Sequence, residues 1–236
     1  MPRSVAINIG ANTNAPGFRG PIYDDGSFEY VPIPEEAPTT DPVPTYADLG
    51  LSMEIPAEIR ETPVHLDPEF ADYGPCENYT YGDPFGVKAR PLQSLEAGDF
   101  VYFYATLSTA GDDPAPWIAP RWGCYIIGQF ELARDPVSGD DFDELSATEK
   151  AAFASNAHLK RDPFDARVLL RGDPNESRLF DRAFPLSTPE AGATANHAVT
   201  EWSSDSGKGP WWRRPLRFDE SATEKLRAEL GEKTQD

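Results

Sequence analysis

The 236-residue sequence predicts an α+β fold that is mostly β, with a few short helices flanking an open or closed barrel. Residues 100–107 and 122–132 carry the strongest signal, because each is an aromatic and β-branched run too short for a typical helix. We interpret them as two central strands of a sheet that closes or nearly closes. Short apolar runs on both sides of the Asp-Gly turn at residues 24–27 add a hairpin.

The other elements follow from local signals. Ser-Ala-Thr-Glu begins at Ser146 and again at Ser221, and this capping box predicts the start of a helix at each place. The remaining elements are a strand at 4–9, a Gly/Asn loop at 10–20, a short helix at 46–51, a turn-rich segment at 66–91, a helix to about 155, a strand at 165–170, a short turn or helix at 178–184 and a last helix to 231. We predict a single domain over 1–236, with a possible N-terminal β subregion at 1–65, a core at about 66–218 and a C-terminal helix at 219–231.

The charge balance is strongly acidic. Forty acidic residues oppose 21 basic ones, which gives a net charge of −19 at pH 7. The acids are spread along the whole chain, and such a surface keeps a protein hydrated where molar salt screens its self-repulsion. We therefore expect a halophilic, archaeal protein, with an ordinary acidic protein or an acidic interaction module as the alternatives. No apolar run reaches the roughly 20 residues of a membrane helix and no signal peptide is evident, so we predict a cytoplasmic protein without a membrane partner.

No residue pattern predicts catalysis, a metal site or a cofactor. The histidines His65, His158 and His197 form none of the usual metal-binding spacings. His65 and Asp67 could place two ligands on one strand face, but a loop histidine bonded to a neighbour explains the same pattern. The catalytic residues therefore stay unknown, and we predict no metal and no cofactor.

One segment combines cations with aromatic rings. Residues 208–217 hold four bases and no acid, and they include Trp211, Trp212 and Arg213, with Trp202 nearby. Nucleic-acid bases stack on such rings for about 1–3 kcal/mol each, an attraction that survives in brine. The alternative is that the tryptophans belong to the core and the arginines cover their edges.

The Gly/Asn loop offers polar groups to a ligand. Asn12, Asn14 and Arg19 follow a predicted strand and could hold a phosphate or a base edge, although the loop matches neither dinucleotide-binding nor P-loop patterns. A structural cluster of turns is the alternative. A second aromatic set is interpreted mainly as packing; its members are Tyr79, Tyr81, Phe85, Trp117 and Trp122.

Several short motifs resemble the nucleotide modification associated domain 3 family. They are Gly20-Pro21-Ile22 with Asp25-Gly26 and Pro32-Ile33-Pro34, His65-Leu66-Asp67-Pro68, Gly82-Asp83 with Leu95 and Gly98-Asp99-Phe100-Val101-Tyr102-Phe103, Asn156-Ala157-His158 and Trp211-Trp212-Arg213. The resemblance implies association with systems that modify bases in DNA. Residues 98–104 and 126–132 also resemble paired strands of PUA-like barrels such as EVE and ASCH domains, which implies a PUA-like fold and an aromatic pocket for a modified or flipped base.

We predict that the protein recognises a modified base or nucleotide, with DNA, RNA or a modified nucleotide as its partner. The predicted ligand-binding residues are Asn12, Asn14, Arg19, His158, Trp202, Trp211, Trp212 and Arg213. One alternative is a nucleotide-modifying enzyme that uses His158 or His65 as acid or base. The other is a non-catalytic structural subunit of a larger complex; the sequence leaves the oligomeric state open.

Overall fold

The computed structural model describes residues 1–233, with thirteen strands and three α-helices in this part of the chain. The strands are β1 Ser4–Asn8, β2 Pro21–Ile22, β3 Ile33–Pro34, β4 Val64–His65, β5 Thr80–Asp83, β6 Phe100–Thr109, β7 Trp122–Glu131, β8 Val137–Ser138, β9 Val168–Arg171, β10 Arg178–Pro185, β11 Ser187–Thr188, β12 Ala191–Ala195 and β13 Leu216–Phe218. The α-helices are α1 Gly86–Gln93, α2 Ala147–Ala151 and α3 Glu220–Lys233. Short 3₁₀ helices occupy Tyr46–Leu49, Ala57–Ile59, Gly139–Glu144, Ala157–Lys160 and Trp211–Arg213, and a π-helical turn occupies Ala198–Trp202.

The chain divides into two compact units, each built from separate segments. Unit 1 comprises Met1–Val31, Asp99–Gln129 and the chain from Phe180 onward. Unit 2 comprises Pro32–Gly98 and Phe130–Leu179. Each unit therefore takes segments from both subregions predicted at 1–65 and 66–218. The single domain over 1–236 stays a prediction.

Unit 1 is organised by a six-stranded sheet. Its strand order is β10-β7-β6-β1-β13, with β2 paired to β6. Strand β1 runs parallel to β6, with Asn8 opposite Tyr104, and antiparallel to β13, with Ala6 opposite Leu216. The core of this unit combines sheet residues with the buried face of α3, where Ala222, Leu226 and Leu230 belong to the same apolar cluster.

Unit 2 has smaller sheets and more loops. Strand β9 pairs antiparallel with both β5 and β8, and β3 pairs antiparallel with β4. A separate apolar cluster forms around Val137, Phe153, Ala166 and Leu169. The segment after β4 and the segment before β9 contribute buried polar residues to this unit, among them Asp67, Asn156 and His158.

The α+β character and the predominance of strands are confirmed. The sheets do not close into a barrel within residues 1–233, so a PUA-like barrel is not confirmed. Strands β6 and β7 lie inside the main sheet, as their apolar runs predicted. Over the same residues, no helix is long and apolar enough to cross a membrane.

The prediction of a turn or helix at 178–184 is wrong. Residues Arg178–Pro185 form β10, an edge strand beside β7. Charged residues in this segment obscure the alternation of apolar and polar residues that marks a strand. Burial of Phe180 and Phe184 in the core of unit 1 favours the strand conformation. Helix α1 was also missed within the turn-rich segment, because Gly86 and Pro91 both disfavour a helix interior.

Candidate functional site

A polar cavity opens at the carboxyl end of β1 in unit 1. Because β1 and β6 are parallel, their carboxyl ends lie at the same edge of the sheet; Asn8 ends β1, and Thr106 lies near the end of β6. The antiparallel β13 begins opposite Ala6, so the residues just before it reach the same edge. Those residues form the 3₁₀ helix Trp211–Arg213. Sheet topology thus joins parts of the chain that lie about 200 residues apart in sequence.

The cavity has a volume of about 350 Å³ and is lined by both amide and aromatic side chains. Its lining residues are Asn8, Asn12, Thr13, Asn14, Arg19, Thr106, Trp122, Trp212 and Arg213. The loop after β1 is shaped by the side chain of Asn12, whose Oδ1 accepts the Asn14 N–H at 2.8 Å. Gly10 begins the loop with a positive φ of 76°, a conformation that L side chains rarely adopt.

Arg19 is held over an aromatic ring and has no carboxylate partner among the residues that the structure describes. Its Cζ lies 4.6 Å from the centroid of the Trp122 ring, which is cation–π geometry. The Arg19 Nε is buried and has no hydrogen-bond partner among the described residues. Desolvation by burial lowers the pKa of Arg19 from its ordinary value. Since buried polar groups are nearly always bonded, this nitrogen is one whose bonding capacity the described residues do not use.

The charge of the cavity is opposite to that of the chain. Arg19 and Arg213 line it together, and none of the lining residues is acidic. Arg213 is exposed and makes no ion pair within residues 1–233. In a protein with 40 acids, two arginines without carboxylate partners favour an anionic ligand.

The tryptophans predicted as ligand-binding residues have different environments. Trp212 is half-buried, lines the cavity and meets Trp122 edge to face at a centroid distance of 5.5 Å. Trp211 is fully buried in the core, where its Nε1 donates to the Ala193 carbonyl at 2.9 Å. Trp202 packs against the same core, contacts His197 and is not among the lining residues. Trp212 is therefore the tryptophan of this group that a ligand entering the cavity would touch.

A second polar cluster lies in unit 2, around the remaining predicted residue, His158. Its Nε2 lies 3.4 Å from Asp67 Oδ2, and the Nε2 of His65 lies 4.0 Å from the same oxygen. All three residues are buried. Asp67 also accepts from the Gly82 N–H, at 2.9 Å to Oδ1 and 3.2 Å to Oδ2, and from Asn156 Nδ2, at 3.0 Å to Oδ1.

Carboxylates hold the far side of both imidazole rings. His65 Nδ1 lies 2.6 Å from Glu35, and His158 Nδ1 lies 2.6 Å from Asp165. The Arg161 guanidinium donates to both of these carboxylates. Burial opposes ionisation of Glu35, but the hydrogen bonds from His65 and Arg161 outweigh it and lower its pKa to about 2.

The same balance acts on the His158 and Asp165 pair. Burial lowers the pKa of His158, but Asp67 and Asp165 outweigh this effect and leave it raised. Burial raises the pKa of Asp165, but His158 and Arg161 outweigh it and leave it lowered. Each shift is opposed by burial and produced by the oppositely charged partners, so the cluster is held together by charge.

The structure thus brings together five of the eight predicted ligand-binding residues: Asn12, Asn14, Arg19, Trp212 and Arg213. Trp202 and Trp211 pack in the core of unit 1, and His158 lies in unit 2. Sequence reasoning missed Asn8, Thr106 and the role of Trp122 in the cavity. The position of Trp122 at the start of a predicted central strand was the signal that could have found it.

The fold and cavity define an α+β protein with a cationic, aromatic site. The chain belongs to the family described as nucleotide modification associated domain 3, whose model matches residues 3–228. No curated protein and no solved structure matches the chain. The family description associates the chain with nucleotide modification and confirms the first of the two predicted resemblances, whereas nothing supports the PUA-like one.

Proposed function

We propose that the protein recognises a nucleotide or modified base in the unit 1 cavity. The observation that carries this proposal is the Arg19 guanidinium, which lines the cavity over Trp122 with a buried Nε that has no partner. A phosphate oxygen is the acceptor that an arginine without a carboxylate partner binds most strongly, because its N–H groups match phosphate geometry. Arg213 supplies the second positive charge.

The other lining residues suit a base. Trp212 offers a ring for stacking, and the asparagines carry both donors and acceptors that can pair with base edges. A volume of about 350 Å³ lies at the lower end of the range for small-molecule sites. The size therefore favours a single nucleotide or one flipped base over a length of stacked strand.

The alternative role of His158 or His65 as acid or base has less support. Both histidines are buried, and both use their Nδ1 atoms to contact carboxylates within unit 2. A general acid or base must come within hydrogen-bond reach of its substrate. The cationic cavity, in contrast, lies in unit 1, and five of its lining residues were predicted to bind ligand.

Replacement of the cavity residues is expected to weaken binding of 2′-deoxynucleoside monophosphates. Trp212→Leu removes the stacking surface, and we expect a rise in Kd of about 5- to 150-fold, equivalent to roughly 1–3 kcal/mol. Arg19→Met removes the phosphate contact and should give a similar loss. Isothermal titration with normal and 5-methylated or 5-hydroxymethylated nucleotides measures both effects, and ribonucleotides test the choice between DNA and RNA.

Matched variants separate binding from folding. Trp202→Leu removes a half-buried ring that packs on the same core outside the cavity, and Arg217→Met removes an exposed arginine of the same basic segment. Both should bind nucleotide normally. If all four variants bind equally, or if no nucleotide binds the unaltered protein at either about 0.2 M or about 2 M KCl, the proposal fails.

A further inference from the structure

The side chains of His65, Asp67 and His158 are arranged as metal ligands. One ligand atom from each lies within 4.8 Å of the others, and all three residues are buried. Ligand atoms around one tetrahedral ion, with bonds of about 2.0–2.1 Å, stand about 3.3–3.5 Å apart. The 3.4 Å between His158 Nε2 and Asp67 Oδ2 fits this spacing, the 4.0 Å from His65 Nε2 to the same oxygen would have to shorten by about 0.5 Å, and the most distant pair of ligand atoms, within 4.8 Å, by more than about 1 Å.

The second observation concerns how the rings are oriented. Each histidine contacts a carboxylate through Nδ1, Glu35 for His65 and Asp165 for His158, at 2.6 Å in both cases. Metal-binding histidines almost always donate their other ring N–H to such a partner, which fixes the ring and leaves the Nε2 lone pair for the metal. Here both Nε2 atoms approach one oxygen of Asp67.

The local backbone is also built around this arrangement. The Gly82 N–H donates to both oxygens of Asp67, at 2.9 Å to Oδ1 and 3.2 Å to Oδ2, and Asn156 Nδ2 donates to Oδ1 at 3.0 Å, so the carboxylate is held in a fixed orientation with Oδ2 nearest the histidines. A Cβ on Gly82 would lie 2.6 Å from Cδ2 of His158, so a larger residue would displace the ring. Glycine is therefore required for the close approach of β5 to the cluster.

The charge of the cluster favours a divalent cation. Glu35, Asp67 and Asp165 bring three negative charges, and Arg161 brings one positive charge. Carboxylates therefore outnumber the guanidinium among these residues, and such an excess favours a cation as ligand.

We propose that unit 2 binds one divalent transition-metal ion through His65 Nε2, Asp67 Oδ2 and His158 Nε2. Two imidazoles and one carboxylate suit Zn²⁺, Fe²⁺, Co²⁺ or Mn²⁺, whereas Mg²⁺ and Ca²⁺ prefer oxygen ligands throughout. Glu35 and Asp165 act as positioning residues that orient the rings. The ion would join the end of β4 to the 3₁₀ helix Ala157–Lys160.

Metal binding is tested on the full chain after dialysis against EDTA. We expect Zn²⁺ or Co²⁺ to bind with a stoichiometry of one per chain by equilibrium dialysis and to raise the Tm, whereas Mg²⁺ does neither. Bound Co²⁺ should give the visible absorption of a site with nitrogen ligands. His65→Ala and His158→Ala should abolish both effects, and the isosteric Glu35→Gln should weaken metal affinity about 10- to 100-fold.

His197→Ala is the matched control, since this third histidine lies half-exposed in unit 1 and pairs with Glu229. It should bind metal as the unaltered protein does. The proposal is overturned if the EDTA-treated protein takes up no ion, or if His65→Ala and His158→Ala take up as much as His197→Ala. The second result would assign the ions to the acidic surface. If the alanine variants do not fold, equal affinity of Glu35→Gln and the unaltered protein overturns it.

Discussion

Trp211→Ala is expected to lower the free energy of unfolding by about 3–5 kcal/mol. The Trp211 ring is fully buried among the apolar residues of unit 1, and its removal leaves a void that the surrounding sheet and helix fill only in part. The Ala193 carbonyl also loses its donor. Urea denaturation measures the change, and thermal unfolding should show a Tm lower by roughly 6–20 °C.

Trp211→Phe and Trp212→Ala serve as comparisons. The phenylalanine keeps most of the apolar volume and should cost clearly less than alanine does. Trp212 is half-buried, so its replacement should destabilise the fold less than Trp211→Ala does while it weakens nucleotide binding. A loss of under about 1 kcal/mol for Trp211→Ala would show that the ring does not occupy the core.

Arg161→Met is expected to cost about 3–5 kcal/mol, because it leaves the buried Glu35 carboxylate without its cation. The Arg161 side chain is 14% exposed, and the Glu35 side chain that it contacts through Nε and Nη2 is 2% exposed. Arg161→Lys should be more stable than Arg161→Met but less stable than the unaltered protein. The lysine ammonium lacks the planar set of N–H donors with which the guanidinium bonds Glu35 and Asp165 together. Chemical denaturation of each variant measures these differences.

A more exposed arginine, Arg134, provides the control for this charge network. Arg134 pairs with Glu149 at 2.9 Å, but the two side chains are 31% and 43% exposed. Arg134→Met should therefore cost no more than about 1 kcal/mol. The double variant Arg161→Met, Glu35→Gln should regain part of the loss, because it removes the unpaired charge. Equal losses for Arg161→Met and Arg134→Met would contradict a coupled, buried network.

Local sequence signals predicted the elements that local interactions determine. The aromatic runs of β6 and β7 are buried on both faces, and Ser146 caps α2 through the predicted box with Glu149. Strand β10 was not predictable in this way, because pairing with β7 decides its conformation. Whether a sheet closes into a barrel is likewise decided by tertiary packing, and strand patterns alone do not determine it.

The candidate sites show the same limit at the level of single residues. Asn12, Asn14 and Arg19 share one loop, but only the antiparallel pairing of β13 with β1 brings Trp212 and Arg213 to them. Trp211 and Trp212 are neighbours in sequence, and the interplanar angle of 86° between their rings reflects two different environments that composition cannot distinguish.

The unit 2 cluster escaped prediction because its partners are far apart in sequence. His65 and Asp67 are two residues apart and can be recognised as a pair in the sequence. The third residue of the cluster, His158, lies 91 residues after Asp67. The supporting residues Glu35 and Asp165 are even further apart along the chain. Metal-binding spacing can be recognised in a sequence only when the ligands share one turn or strand.

The division of the chain has a consequence for how such a protein can evolve. The backbone passes between the units at 31–32, 98–99, 129–130 and 179–180, so neither unit corresponds to a continuous stretch of coding sequence. A contiguous segment that contains the whole of unit 2 also contains Asp99–Gln129 of unit 1, and a segment that contains the whole of unit 1 contains all of unit 2. A gene fusion that carried the unit of the histidine cluster would therefore bring two strands of the main sheet with it, and one that carried the unit of the cationic cavity would bring the histidine cluster as well.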